Sequence, residues 1–233
     1  MAEFLYSTLY TDANLQEYYK LEDLTGKNGN TLTNNNSVTF SAGKFNNGAD
    51  LGSSDGNKAL TVASAFSIDG GACGLSCWVK LNTEIASGTY RFLNVGNTTS
   101  DTEYYIDYQY NAGTRRLAWG RGKVGVANEE TYYTVTLGTS NFYHLVLAYD
   151  ATNLRGYVDN VLQSGPTAAS GSGSAGNTGF AIGGNVTPDS TFNSALAIID
   201  DVAIFNRNLA ASDVDAIYNA IEPFSGGYIH MSN

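Results

Sequence analysis

The feature that most limits what this chain can fold into is apolar alternation of period two, recurring in short runs. It shows at 59–62, 75–81, 104–110, 131–137, 142–149, 154–161 and 195–205. A strand turns successive side chains to opposite faces, so each run predicts a strand with one face buried. Asn111-Ala112-Gly113-Thr114, Asp150-Ala151-Thr152-Asn153 and Asp159-Asn160 supply the residues that tight turns need, so neighbouring runs read as antiparallel hairpins. Composition agrees: 26 Gly, 16 Tyr and 10 Phe in 233 residues, with 15% charged residues, favour short strands and frequent turns over a helical bundle. One segment, 211–220, has helical period, with Val214, Ile217 and Tyr218 on one face and Leu209 placed to staple against Val214. It predicts a short helix plugging one end of the fold. The expected class is all-β, an antiparallel two-sheet sandwich of about a dozen strands.

The Gly, Ser, Ala, Thr and Asn of 164–179 suggest a linker, but the segment 180–205 is too short to bury a core of its own. The stretch is therefore expected to be a long surface loop within one domain, 1–222, followed by a tail, 223–233. Twelve Lys and Arg against 22 Asp and Glu give a net charge of −10, which repels polyanions and excludes nucleic acid as a partner. No apolar run is long enough for a membrane-spanning helix, and the first residues lack the basic and apolar regions of a secretory signal. Cys73 and Cys77, if extended, stand roughly 13 Å apart, so free thiols are expected.

Three segments resemble the laminin G-like, concanavalin A-like jelly-roll family. The first joins Leu15-Gln16-Glu17-Tyr18-Tyr19-Lys20-Leu21-Glu22-Asp23 to Gly43-Lys44-Phe45-Asn46-Asn47-Gly48-Ala49-Asp50-Leu51 and the strand ending Ser76-Cys77-Trp78-Val79-Lys80. The second pairs Phe142-Tyr143-His144-Leu145-Val146-Leu147-Ala148-Tyr149-Asp150 with Leu154-Arg155-Gly156-Tyr157-Val158-Asp159-Asn160. The most specific runs from Ile199-Asp200-Asp201-Val202-Ala203-Ile204-Phe205 through Asn206-Arg207-Asn208-Leu209 and the helix to Tyr218. The resemblance implies a jelly roll, and a structural Ca²⁺ held by Asp200 with Glu22 and the carbonyl near Gly48 as companions, since hard oxygen ligands suit that ion. It departs from the family at Ala210, where a capping Ser is expected, at a cost of about 1 kcal/mol.

Glycosidase relatives carry paired carboxylates about 5 Å apart on one strand. Glu103 and Asp107 share a strand face but sit four residues apart, roughly 13 Å at strand rise, so no catalytic residues are assigned. His144 reads as structural. Parity instead marks a polar face: Tyr105, Asp107 and Gln109 against inward Ile106 and Tyr108; Arg116 against inward Leu117 and Trp119; and Arg155 and Tyr157 against inward Leu154, Gly156 and Val158. Tyr105, Asp107, Gln109, Arg116, Arg155 and Tyr157 are the expected ligand surface. Arg115, Arg116, Arg121 and Lys123 form a basic cluster suited to an acidic sugar or acidic neighbour, and sequons begin at Asn35, Asn97 and Asn185. The expected function is a non-catalytic extracellular binding or adhesion module for a glycan or cell-surface polysaccharide. The alternative is a self-associating structural protein of a virion surface, with other virion or surface proteins as partners.

Overall fold

The computed structural model describes residues 3–66, 68, 71–96, 103–123, 126–169, 178–186 and 193–220. Two 3₁₀ turns, Phe4–Tyr6 and Thr8–Thr11, lead into β1 (Leu15–Tyr19), β2 (Thr33–Asn35), β3 (Thr39–Ala42), β4 (Asn47–Asp50), β5 (Ala59–Phe66), β6 (Cys73–Leu81) and β7 (Gly88–Gly96). There follow β8 (Glu103–Asn111), β9 (Thr114–Lys123), β10 (Val126–Thr134), β11 (Tyr143–Tyr149), β12 (Asn153–Val158) and β13 (Val161–Ala168). The chain then forms β14 (Thr178–Ile182), β15 (Asn193–Ser194), β16 (Ala197–Phe205) and α1 (Ala211–Tyr218).

The strands make two stacked sheets. The back sheet runs β13-β12-β11-β6-β16-β4-β3 with β1 added on β16, and the front sheet runs β10-β9-β8-β7-β14-β5-β2 with β15 added on β7. Among the described residues pairing is antiparallel except for the two-residue β15. The all-β sandwich expected from alternation is the observed fold.

Parity holds strand by strand. Tyr104, Ile106 and Tyr108 of β8 and Leu117 and Trp119 of β9 meet Leu75, Cys77, Val79, Leu145, Leu147 and Leu154 of the back sheet in one buried cluster. The Trp119 ring lies on Gly156 across the gap, where an added Cβ would come within 2.2 Å of it. Ala112 and Gly113 (φ 48° and 85°) and Asp159 and Asn160 (φ 48° and 66°) occupy the left-handed region that two-residue hairpin turns require. Both cysteines are buried free thiols.

A second apolar cluster covers the outer face of the back sheet, where Phe4, Leu15 and Tyr18 join Val146, Ala148, Tyr157, Phe205, Leu209, Val214 and Ile217. Helix α1 therefore lies across a sheet face and does not plug an end, because its apolar stripe matches the outward residues of β11, β12 and β16. Its start is less bare than Ala210 implied: Asp213 Oδ2 accepts the Ala210 N–H at 2.9 Å and pairs with Arg207 at 2.6 Å, half of a capping box. The stretch 164–179 also needs correction, since β13 continues through Ala168 and β14 starts at Thr178. Residues 170–177 and the tail 223–233 lie outside the described residues.

Candidate functional site

The outer face of the front sheet is built by three hairpin-linked strands and β7. On β8, Glu103, Tyr105, Asp107 and Gln109 point away from the core. Register pairs Asp107 with Ala118, Tyr105 with Gly120 and Gln109 with Arg116 on β9, and pairs Ala118 with Tyr132 and Gly120 with Glu130 on β10. Small residues in the middle strand let large ones lie flat over them: an added Cβ on Gly120 would sit 2.2 Å from the Tyr105 ring.

The expected ligand surface is divided by this architecture. Tyr105, Asp107, Gln109 and Arg116 share the front face. Arg155 and Tyr157 belong to β12 of the back sheet and point to the opposite side of the molecule. Tyr157 is 5% exposed within the apolar cluster under the N-terminal turns, and Arg155 is paired with Asp150 at 2.6 Å. Parity tells inward from outward on each strand but not which sheet a hairpin joins, so one surface was assembled from two. Tyr105 and Asp107 are outward yet fully buried, which makes them the floor of the face and not its contacts.

Two linked clusters organise that face. Arg91 of β7 is wholly buried; its Nε and Nη2 donate to the two oxygens of Asp107 at 2.9 and 3.2 Å, and its Nη1 donates to Glu103 at 3.0 Å and Asn185 at 3.3 Å. Asn94 donates to the same Glu103 oxygen at 3.0 Å. The Arg91 guanidinium lies 4.3 Å over the Tyr105 ring. Tyr105 then connects to the second cluster, donating to Glu130 at 3.0 Å, which also accepts from Gln109 at 3.2 Å. Gln109 accepts from Arg116 Nε at 3.0 Å, and the Arg116 guanidinium stacks 3.8 Å over Tyr132, whose hydroxyl donates to Glu130. Burial, and then the facing carboxylate, push the Tyr132 hydroxyl up to about 12.

The segment after β14 folds over the β7 side, bringing Asn185 onto Arg91 and Val186 onto Gly179. What stays open is the β9–β10 side: Arg116 and Glu130 are half-buried, and Tyr132, at 40% exposure, is a large apolar side chain left to solvent. Sequence reading missed Arg91, Asn94, Glu130 and Tyr132. A lone Arg within the apolar run of β7 was a signal, blurred because a bulge between Arg91 and Leu93 breaks the alternation.

The spacing argument against Glu103 and Asp107 also changes in detail. Their side chains converge on one guanidinium, so they lie far closer than their backbone positions. Both are engaged by Arg91, and burial raises Asp107 to about 6 despite that guanidinium. Ser76 Oγ stands 2.8 Å from His144 Nε2, but both are sealed beneath Trp78 and Tyr218, and burial holds the imidazole down to about 3. A neutral, covered imidazole serves packing.

At the expected metal position Asp200 is fully buried. Its Oδ2 accepts the Phe45 N–H at 2.8 Å while Oδ1 has no partner, and burial raises the carboxyl to about 8. Gly48 abuts it, an added Cβ falling 3.2 Å from Asp200 Cβ. Glu22 is turned to Asn46 at 2.7 Å and Lys20 at 3.3 Å. Among the described residues no three His, Cys, Asp or Glu side chains gather round a common point; Asp200 Oδ1 is the one oxygen of the expected set shown buried without a partner, and Glu22 is turned away from it. The basic cluster is likewise split: Arg115 binds the Ile85 carbonyl and Glu84 at one edge, and Arg121 is buried between the sheets. Asn185 is 2% exposed, which removes it as a glycan acceptor, Asn35 is bonded to Thr61, and Asn97 lies outside the described residues.

A family model described as the concanavalin A-like lectin/glucanases superfamily matches residues 53–215. Comparison with curated protein sequences gives no significant match. Among solved structures, domain 4 of an extracellular GH43 arabinanase from Geobacillus stearothermophilus, in complex with arabinotriose, superposes with a TM-score of 0.62 at 18% identity. The match covers 88% of this chain and 98% of that one. The binding domain of botulinum neurotoxin DC in complex with SialylT gives 0.67 at 13% identity, covering 89% and 51%. A Trypanosoma rangeli sialidase gives 0.63 at 17%, covering 88% and 33%. The chain thus spans about half of the toxin domain and a third of the sialidase, and at these identities the likeness is one of fold.

Proposed function

The chain belongs to the concanavalin A-like lectin/glucanase superfamily, and from that premise we propose that it is a non-catalytic carbohydrate-binding module acting outside a cell. The observation that carries the reading is the open side of the front face. Tyr132 is 40% exposed with the Arg116 guanidinium stacked on its ring, and Glu130 and Gln109, locked with Arg116 and Tyr105, flank the pair with fixed donors and acceptors. Sugars are bound by such a pairing, an aromatic ring against apolar C–H faces with ordered polar groups reading hydroxyls. The similar domains named above are described in complex with arabinotriose and SialylT, which supports a glycan as the ligand class. Engagement of both Glu103 and Asp107 by Arg91 supports the absence of hydrolysis.

The test is a glycan array followed by titration of the best ligand. Tyr132→Ala and Arg116→Ala are each expected to weaken binding by about tenfold or more with little change in melting temperature, as exposed contacts do. Tyr157→Ala, on the far sheet, should bind normally. Equal binding by all three variants would sink this surface, and release of reducing sugar lost in Asp107→Asn would replace the module with an enzyme.

A second reading, a self-associating structural protein such as a virion component, draws on Val161 and Leu162, which are 56% and 45% exposed on the edge strand β13. A stable oligomer at micromolar concentration together with a silent array would favour it.

Structural calcium at Asp200 is also proposed, with Oδ1 and carbonyls near Gly48 as ligands and Glu22 taking no part. Calcium should raise the melting temperature of wild type and not of Asp200→Asn. Unchanged melting after EDTA, with no calcium in elemental analysis, would leave that oxygen protonated and metal-free.

A further inference from the structure

The chain has six arginines, all of them among the described residues. Arg91, Arg115, Arg121, Arg155 and Arg207 each stand 2.6–3.4 Å from a carboxylate oxygen. Among the described residues Arg116 alone has no such partner. Its Nε donates to the amide oxygen of Gln109 at 3.0 Å, directly across the β8–β9 register, and its guanidinium carbon lies 3.8 Å from the centroid of the Tyr132 ring. Gln109 is fixed in turn, its amide nitrogen donating to Glu130 at 3.2 Å. The cation is therefore oriented by neutral groups only.

Guanidinium N–H groups point outward in the plane of the group, so a guanidinium set over a ring keeps its edges available. The bond from Nε uses one of those edges. Nη1 and Nη2 have no hydrogen-bond partner among the described residues, and the side chain is half-buried at the open side of the front face. Glu130 does not neutralise it: Glu130 sits opposite Gly120, further along β9, and its oxygens accept from Tyr105, Gln109 and Tyr132. An oriented fork of donors without a carboxylate is shaped for one, because the two Nη groups match the two oxygens of a carboxylate in plane.

Resting on the reading of this face as a glycan site, we infer that its glycan carries a carboxylate, as a sialic or uronic acid residue does, and that Arg116 reads it. Glu130, held by neutral donors, is left to accept from sugar hydroxyls, so the acid group lies toward Arg116 and the hydroxyls toward Glu130. The net charge of −10 repels a polyanion at long range, which favours a single acidic residue on an otherwise neutral glycan over a polyuronate.

The experiment titrates the full chain with sialyl- and glucuronyl-terminated oligosaccharides, with the carboxyl-reduced counterpart of each, and with a sulfated oligosaccharide. At least one acid should bind about tenfold or more tightly than its reduced counterpart, as hydrogen bonds to charged groups allow. Arg116→Gln should abolish that preference. So should Thr134→Asp, because Thr134 is exposed, shares the outward parity of Tyr132 and pairs with Arg116 in the β9–β10 register, so the new carboxylate would occupy the fork. Neither change should alter binding of the reduced counterpart much, whereas Tyr132→Ala should weaken both. Equal binding of acid and reduced forms, both lost in Tyr132→Ala, would overturn the inference and leave the glycan face standing. An acid preference that survives Arg116→Gln and Thr134→Asp, or an equal preference for sulfate, would also overturn it. Silence of the wild type toward every probe and toward the glycan array would overturn both readings.

Discussion

Truncating Trp119 to alanine is expected to lower the free energy of unfolding by about 3–5 kcal/mol, the range for deleting a large buried aromatic side chain. The ring is fully buried at the centre of the inter-sheet cluster, and it rests on Gly156, where no side chain stands ready to fill the space. Its indole N–H has no partner, so Trp119→Phe gives up packing alone and should cost much less. Gly156→Ala approaches the same contact from the other sheet: the methyl group has no room until the indole shifts, so it should also destabilise, by overpacking and not by a cavity. Chemical denaturation of the three variants checks the set. A wild-type melting curve for Trp119→Ala combined with loss of glycan binding would mean that Trp119 faces outward and that the inner and outer faces have been exchanged.

Trp119 also illustrates what a sequence like this makes legible. Alternation decides on which side of its own strand a residue lies, and it placed Ile106, Tyr108, Leu117 and Trp119 correctly because every second residue was apolar. The same rule would have placed Arg121 inward with Leu117 and Trp119, had it been followed instead of grouping Arg121 with its basic neighbours. Alternation is silent on which strands become neighbours. The β8–β9 and β11–β12 hairpins look alike as sequences, yet long-range pairing sends one to each sheet, and that choice separates Arg155 and Tyr157 from Arg116. Tyr132 was illegible for a related reason, since its place beside Arg116 follows from the β9–β10 register and not from any local pattern. Arg91 was hidden by a bulge, and its role by distance along the chain: its partners Glu103, Asp107 and Asn185 lie 12, 16 and 94 residues away.

That buried arginine carries the other large expected effect. Asp107→Ala should cost about 3–5 kcal/mol, because it leaves the enclosed Arg91 guanidinium without its two-pronged acceptor while Glu103 holds a single nitrogen. Removing both charges at once, as in Arg91→Met with Asp107→Leu, should restore much of that loss, since a buried ion pair gains little over well-packed apolar groups. The pH dependence has a definite sign. Asp107 has its folded pKa raised from 3.8 to about 6, burial outweighing the guanidinium, so the folded protein keeps a proton that the unfolded chain releases. Its contribution to stability is therefore full below pH 3.8 and is lost as pH rises through about 6. Unfolding measured from pH 4 to pH 7 should show wild type losing stability relative to Asp107→Asn over that window. A double variant as unstable as Asp107→Ala would show that the pair is needed for its geometry and not only for mutual neutralisation. Since Arg91 also supports the Tyr105 ring that fixes Glu130, the double variant should fold well and yet bind glycan less tightly, separating the stability of the face from its order.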